Sequence, residues 1–200
     1  MRATLRAVGE TSITAGLIMM LFCAYLLWGT GAYTQSQQRL LQRELAARKA
    51  VKPEPGKPMA LLRIPELGRD YEYAVIEGVD TEHLKKGPGH YPDSAMPGQV
   101  GNFVVSGHRT TYAAPFKEID ELERDDEIVV QAGGTTYTYR VTSQDIVTPD
   151  EVDVFAPVPG KPDIRPIRAF ITLSTCHPEY SAAERLIVYG VLKDAVEDEE

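Results

Sequence analysis

A thiol, an imidazole and a guanidinium suffice for acyl transfer, and this 200-residue chain places one of each at the end of a strand-like run. Cys176 follows the run 169–175, His108 follows 102–107, and Arg185 opens 186–189. A thiolate is the nucleophilic form of cysteine, and a free thiol is mostly protonated near neutral pH, so a nearby imidazole and guanidinium help to populate it. His108 would protonate a leaving amine and later deprotonate an incoming one. Arg185, always charged, would stabilise a developing oxyanion or hold a substrate carbonyl. Only eight residues separate Cys176 from Arg185. If the flanking strands pair antiparallel, the two residues share one end of a sheet.

The other cysteine, Cys23, lies in a stretch without charged residues that runs from Thr11 to Gln38. Roughly 20 helical residues at about 1.5 Å each cross a hydrocarbon core, so residues 11–33 are expected to be a transmembrane signal anchor. Arg2 and Arg6 precede it and favour a cytoplasmic N-terminus, residues 1–10, with the remainder outside. Tyr25, Trp28 and Tyr33 crowd its far end as an interfacial aromatic belt would. A cleaved signal peptide is the competing reading, because Thr30-Gly31-Ala32 resembles a cleavage site, but the apolar region is long for one. With Cys23 in the membrane, Cys176 is the one thiol of the exported part: an accident, an intermolecular link or a nucleophile.

Beyond the span, 35–50 carries Leu40, Leu41 and Leu45 among polar residues and reads as a weakly amphipathic helix, a plain stalk. Lys52-Pro53-Glu54-Pro55-Gly56-Lys57-Pro58 reads as an extended, semi-rigid linker, since proline fixes φ and removes donors. Stalk and linker thus occupy 34–58, a folded domain 59–193 and an acidic tail 194–200. Residues 1–57 carry a net charge of +5 and the remainder −13. So acidic a domain repels nucleic acid and anionic lipid headgroups, and neither is an expected partner.

The domain reads as all-β with short helices. Runs at 60–64, 71–76, 102–106, 127–131, 135–141, 169–174 and 186–192 alternate with Gly, Pro and Asp clusters, the pattern of a sandwich or barrel. Ala132-Gly133-Gly134 signals a hairpin. Short helical turns are expected at 81–86 and 115–122.

These residues carry a resemblance. Thr172-Leu173-Ser174-Thr175-Cys176 resembles the T-L-x-T-C motif of sortases, Ser106-Gly107-His108-Arg109 their G-H segment, and Glu184-Arg185-Leu186-Ile187-Val188 their R-hydrophobic strand, in the family's order over about 60–193. The resemblance implies an eight-stranded sortase β-barrel behind one N-terminal transmembrane helix. It also implies a cysteine transpeptidase without cofactors: Cys176 cleaves a C-terminal sorting signal after threonine, forms a thioacyl intermediate, and passes it to an amine on a peptidoglycan precursor or a pilin. The enzyme would be a single-pass protein of the cell membrane, its catalytic domain extracellular, its partners surface proteins bearing sorting signals. Gly87-Pro88-Gly89-His90-Tyr91-Pro92 and His108-Arg109-Thr110-Thr111-Tyr112 are most similar to class E of Gram-positive actinobacteria, with class D next. Class E implies L-A-x-T-G over L-P-x-T-G, and Tyr112 matches the tyrosine associated with that preference.

Three further residues follow as substrate-binding candidates. The motif implies that Thr175 lines the substrate groove, although a β-branched residue also simply suits a strand. Tyr112 is a candidate substrate contact, and His90, in its Gly-Pro loop, would border the groove. Arg109 and His177 neighbour the catalytic candidates, but successive side chains in extended structure point opposite ways, so both read as structural. His83, His90, His177 and Cys176 lack zinc-site spacing, and no metal is expected. Some class A sortases bind calcium near the loop before the catalytic histidine; here residues 91–101 supply only Asp93. Two alternatives stand beside the sortase reading: an L,D-transpeptidase, whose cysteine typically sits in an S-x-G-C setting, and a noncatalytic membrane-anchored binding domain.

Overall fold

A computed structural model describes residues 2–47 and 53–198. Part of the expected linker, the last residues of the expected stalk helix, the side chain of Trp28 and the final two glutamates lie outside the described residues. The N-terminal apolar stretch is helical: α1 (Arg2–Ala24) passes through a π-helical turn (Tyr25–Gly29) into α2 (Thr30–Ala46). Ala24, Gly29 and Thr30 all keep right-handed helical angles, and the Thr30 N–H bonds back to the Tyr25 carbonyl. The π turn therefore absorbs an extra residue without ending the helix. By length and composition α1 is long and apolar enough to cross a membrane.

Eight strands follow: β1 (Pro58–Arg63), β2 (Glu72–Glu77), β3 (Gly89–His90), β4 (Gly101–Ser106), β5 (Glu127–Ala132), β6 (Thr135–Val147), β7 (Ala169–His177) and β8 (Glu184–Glu197). They close into a barrel in the order β1-β2-β3-β4-β7-β8-β6-β5. The expected all-β fold with short helices is what forms. Gly133 and Gly134 turn the β5–β6 hairpin, and the expected helical turns shorten to α3 (Thr81–Leu84) and a 3-10 turn at Ile119–Glu121. Period-2 alternation fills the interior: Phe103 and Val105, Ile171 and Leu173, and Leu186 and Val188 point into one buried cluster.

α2 is not the plain stalk expected. Thr30, Thr34, Gln38 and Leu41 are buried, a spacing of four, four and three that places them on one helical face. Thr34 Oγ1 donates to the Lys85 carbonyl at 2.7 Å, and Leu41 packs on Ala74 and Ile76. Gln38 Nε2 donates to the carbonyls of Ala74 (3.1 Å) and Lys86 (2.9 Å), while its Oε1 accepts from the Ala74 N–H (2.7 Å). β3 pairs with β2 only at Ile76 and Glu77, so the Gln38 amide satisfies the backbone of Ala74 as a longer β3 would. Gly87 makes room for it: a Cβ there would lie 2.0 Å from Gln38 Nε2. Gln38→Leu would strand these buried backbone groups at about 1–3 kcal/mol each. Its thermal unfolding midpoint in detergent is expected to drop clearly; an unchanged midpoint would make the docking incidental.

Candidate active site

The site forms where three neighbouring strands end together. β7 and β8 pair antiparallel with Cys176 directly opposite Arg185, so their side chains rise from the same outer face with Cβ atoms roughly 5 Å apart. On the other flank β4 runs parallel to β7, Ser106 level with Ser174. The Gly107 N–H continues that ladder to the Ser174 carbonyl at 3.0 Å, and Arg109 Nη1 reaches the Cys176 carbonyl at 3.4 Å. The backbone of Gly107 and the side chain of Arg109 are thus both bonded to the end of β7 that carries Cys176, and His108 lies between them in sequence. The structure thus gathers the three strand-end residues, from distant parts of the chain, at one end of the barrel wall.

Cys176 is a half-buried free thiol, and Cys23 is likewise free on the exposed surface of α1. Arg185 makes two hydrogen bonds, to the carbonyls of Ala182 (3.0 Å) and Glu184 (2.9 Å), both through Nη1. They hold the guanidinium against the β7–β8 loop.

His108 is half-buried beneath Tyr112, the ring centroids 5.1 Å apart and tilted by 34°. Its Nε2 is buried without a hydrogen-bond partner among the described residues, the kind of orphan a proton-transfer role explains. Burial holds its pKa below the ordinary 6.5, because the charged ring loses hydration. A neutral imidazole therefore predominates at neutral pH and can take the thiol proton. The sign for stability follows: His108 costs nothing well above pH 6.5, and its unmet protonation increasingly disfavours the folded state as pH falls from there to the lowered folded value. In an NMR titration its ring should turn over below 6.5, and Tyr112→Ala, which opens the ring to water, should move that midpoint upward. A midpoint at or above 6.5 in the parent chain would contradict the burial argument.

Two substrate-binding candidates sit elsewhere than expected. Thr175 has the parity of Ile171 and Leu173, which point inward; it is 3% exposed, and its Oγ1 donates to the Gly107 carbonyl at 2.8 Å. Rather than lining a groove, it ties β7 to the segment carrying His108. His90 is 1% exposed, stacks on Phe103, and places Nδ1 2.7 Å from Glu77 Oε2 and Nε2 2.9 Å from Ser94 Oγ. It is a polar pin between β3 and its neighbours and presents nothing to a groove. Tyr112 does stand at the site, over His108.

Sequence reasoning set Arg109 aside as structural, and its actual task is specific. It is 6% exposed and bridges the Asp120 carboxylate (2.7 Å), His177 Nδ1 (2.9 Å) and the Cys176 carbonyl. A buried guanidinium thereby clamps the end of β7 that carries the thiol. Asp120, eleven residues on, gave no sequence signal. The outer face leading to Cys176 is floored by Thr172, whose hydroxyl donates to Asn102 Oδ1 at 2.8 Å. Asn102 Nδ2 in turn donates to the Ala156 carbonyl at 3.0 Å, so the β6–β7 connection walls this face. No three His, Cys, Asp or Glu side chains cluster as metal ligands among the described residues.

Residues 62–193 match the family model described as the Sortase domain. Sortase SrtE1 of Streptomyces coelicolor is 38% identical over 199 residues, 92% of this chain and 56% of that protein. Sortase D of Bacillus subtilis is 31% identical, covering 89% of this chain and 93% of that one. The solved structure of sortase E from Streptomyces avermitilis superposes with a TM-score of 0.66 at 42% identity, over 72% of this chain and 93% of that one. The chain thus spans little more than half the length of the Streptomyces coelicolor relative, and the order of likeness, class E before class D, agrees with the motifs.

Proposed function

Because this chain belongs to the sortase family, we propose that it is a cysteine transpeptidase whose catalytic residues are Cys176, His108 and Arg185. The register match of Cys176 with Arg185 carries this reading. The Cys176 thiol passes its proton to Nε2 of neutral His108, and the thiolate attacks the threonine carbonyl carbon of a sorting signal. Arg185 stabilises the resulting oxyanion. As the tetrahedral centre collapses, the C–N bond breaks, His108 returns the proton to the departing glycine amine, and a thioester remains on Cys176. An incoming amine attacks that thioester while His108 takes its proton, and Cys176 leaves as the thiolate.

The finer reading is a preference for L-A-x-T-G over L-P-x-T-G, supported by Tyr112 over His108 and the likeness to class E. The acceptor is an amine of a peptidoglycan precursor or a pilin, and the substrates are surface proteins with C-terminal sorting signals. α1, with Arg2 and Arg6 in its first turns ahead of the uncharged stretch, is a single-pass anchor with a cytoplasmic N-terminus, and residues 59–193 form the extracellular catalytic domain. Incubating the full chain in detergent with each peptide and a small primary amine tests this. Faster Cys176-dependent transfer with L-A-x-T-G is expected; equal or inverted rates would overturn the class E preference, and no transfer with either peptide the sortase activity itself.

A further inference from the structure

The helix that would span the membrane is also the helix that grips the barrel. It runs from Arg2 to Ala46 through the π turn, with Ala24, Gly29 and Thr30 in right-handed helical conformation. The proline-rich stretch follows α2 and so cannot space the barrel from the span; instead Lys57, at its end, pairs with Glu44 of α2 at 3.3 Å. From Thr11, where the stretch without charges begins, about 20 residues of helix cross the hydrocarbon core, which ends the apolar layer near Thr30. Thr30 is already barrel contact: it is buried, and its Oγ1 accepts from the Tyr112 N–H at 3.4 Å. Tyr112 in turn covers His108.

Higher on α2 the grip continues through Thr34 and Gln38, and near its end Leu45 and Ala46 share a cavity of about 610 Å³ with Gly133 and Gly134 of the β5–β6 hairpin. From Thr30 to Ala46 the helix rises about 24 Å. The barrel thus lies alongside α2 with the His108–Ala114 segment at the low end and the hairpin at the high end. Headgroups occupy about 6 Å on each side of the hydrocarbon core.

We infer that the loop carrying His108 and Tyr112 lies in the phospholipid headgroup layer, held there by one rigid helix that serves as both anchor and strap. This rests on the proposed anchor. The reacting carbonyl must then come down to the membrane surface, so the enzyme acts on substrates whose cleavage site emerges within a few residues of the same bilayer, and a site displayed well above it goes unmet.

The full chain carrying Cys23→Ser and Cys176→Ala, with one new thiol at Thr111→Cys or at Val196→Cys, tests the placement. Val196 is exposed and pairs with Thr136 near the hairpin. With a fluorophore on that thiol, in phosphatidylcholine–phosphatidylglycerol vesicles containing headgroup-nitroxide lipid, the label at 111 should be quenched several-fold more than the label at 196. Seven charged, helix-forming residues inserted after Gly29 lift the barrel by about 10 Å and should abolish the difference. Equal quenching at both positions in protein that co-floats with the vesicles, or a difference that survives the insertion, overturns the placement. Failure to co-float overturns the anchor beneath it and the placement with it.

Discussion

Cys176→Ala is expected to abolish peptide cleavage and transfer, lowering kcat/KM by about ten-thousand-fold or more, the scale on which removal of a catalytic nucleophile acts. In the proposed mechanism the thiol forms the acyl intermediate. The substitution leaves the fold in place: Cys176 is half-buried on the outer face of β7, away from the interior filled by Ile171 and Leu173, and its backbone bonds are independent of sulfur. Thermal unfolding should stay near the parent value while turnover vanishes, and the alanine protein should still bind sorting-signal peptide. Residual turnover within tenfold of the parent would remove Cys176 from the mechanism.

Arg185→Lys carries the second largest effect. Lysine keeps the charge but loses the planar fork, so it cannot hold the loop carbonyls of Ala182 and Glu184 and also present an N–H toward the oxyanion in the same geometry. An interaction made only in the transition state lowers kcat and kcat/KM together. Both should fall by roughly a hundredfold or more, with KM for the peptide little changed. A rise in KM at unaltered kcat would assign Arg185 to ground-state binding, and an unchanged enzyme would assign it to the architecture of the β7–β8 loop.

The gathering of these residues was legible because each ends or opens a β-branched run, and an eight-residue connection between Cys176 and Arg185 admits few geometries besides a paired ladder. The parallel neighbourhood of β4 and β7 was not, since nothing local in 101–106 or 169–177 encodes a partner some 70 residues away. β3 escaped notice because two residues, Gly89 and His90, carry no alternation. Thr175 illustrates a rule left unused: with Ile171 and Leu173 facing inward, strand parity alone sends Thr175 inside and Cys176 out. Placing His90 in a groove failed for a different reason, because the buried partner that claims it, Glu77, is a carboxylate whose burial its own sequence does not announce. Helix α2 is the largest omission. Its polar stripe, Thr30, Thr34 and Gln38, bonds to backbone, and a pattern search for apolar periodicity passes over a helix that docks by hydrogen bonds.

The central claim is that Cys176 carries the acyl group between two amines. The most direct measurement is intact-protein and peptide mass spectrometry of the full chain incubated with an L-A-x-T-G peptide in the absence of added amine. A thioester adduct on Cys176, with the mass of the peptide acylated through its threonine, is expected, and it should disappear when a primary amine is added, as transferred product forms. No adduct on Cys176, together with cleavage that persists in the Cys176→Ala protein, would contradict the account.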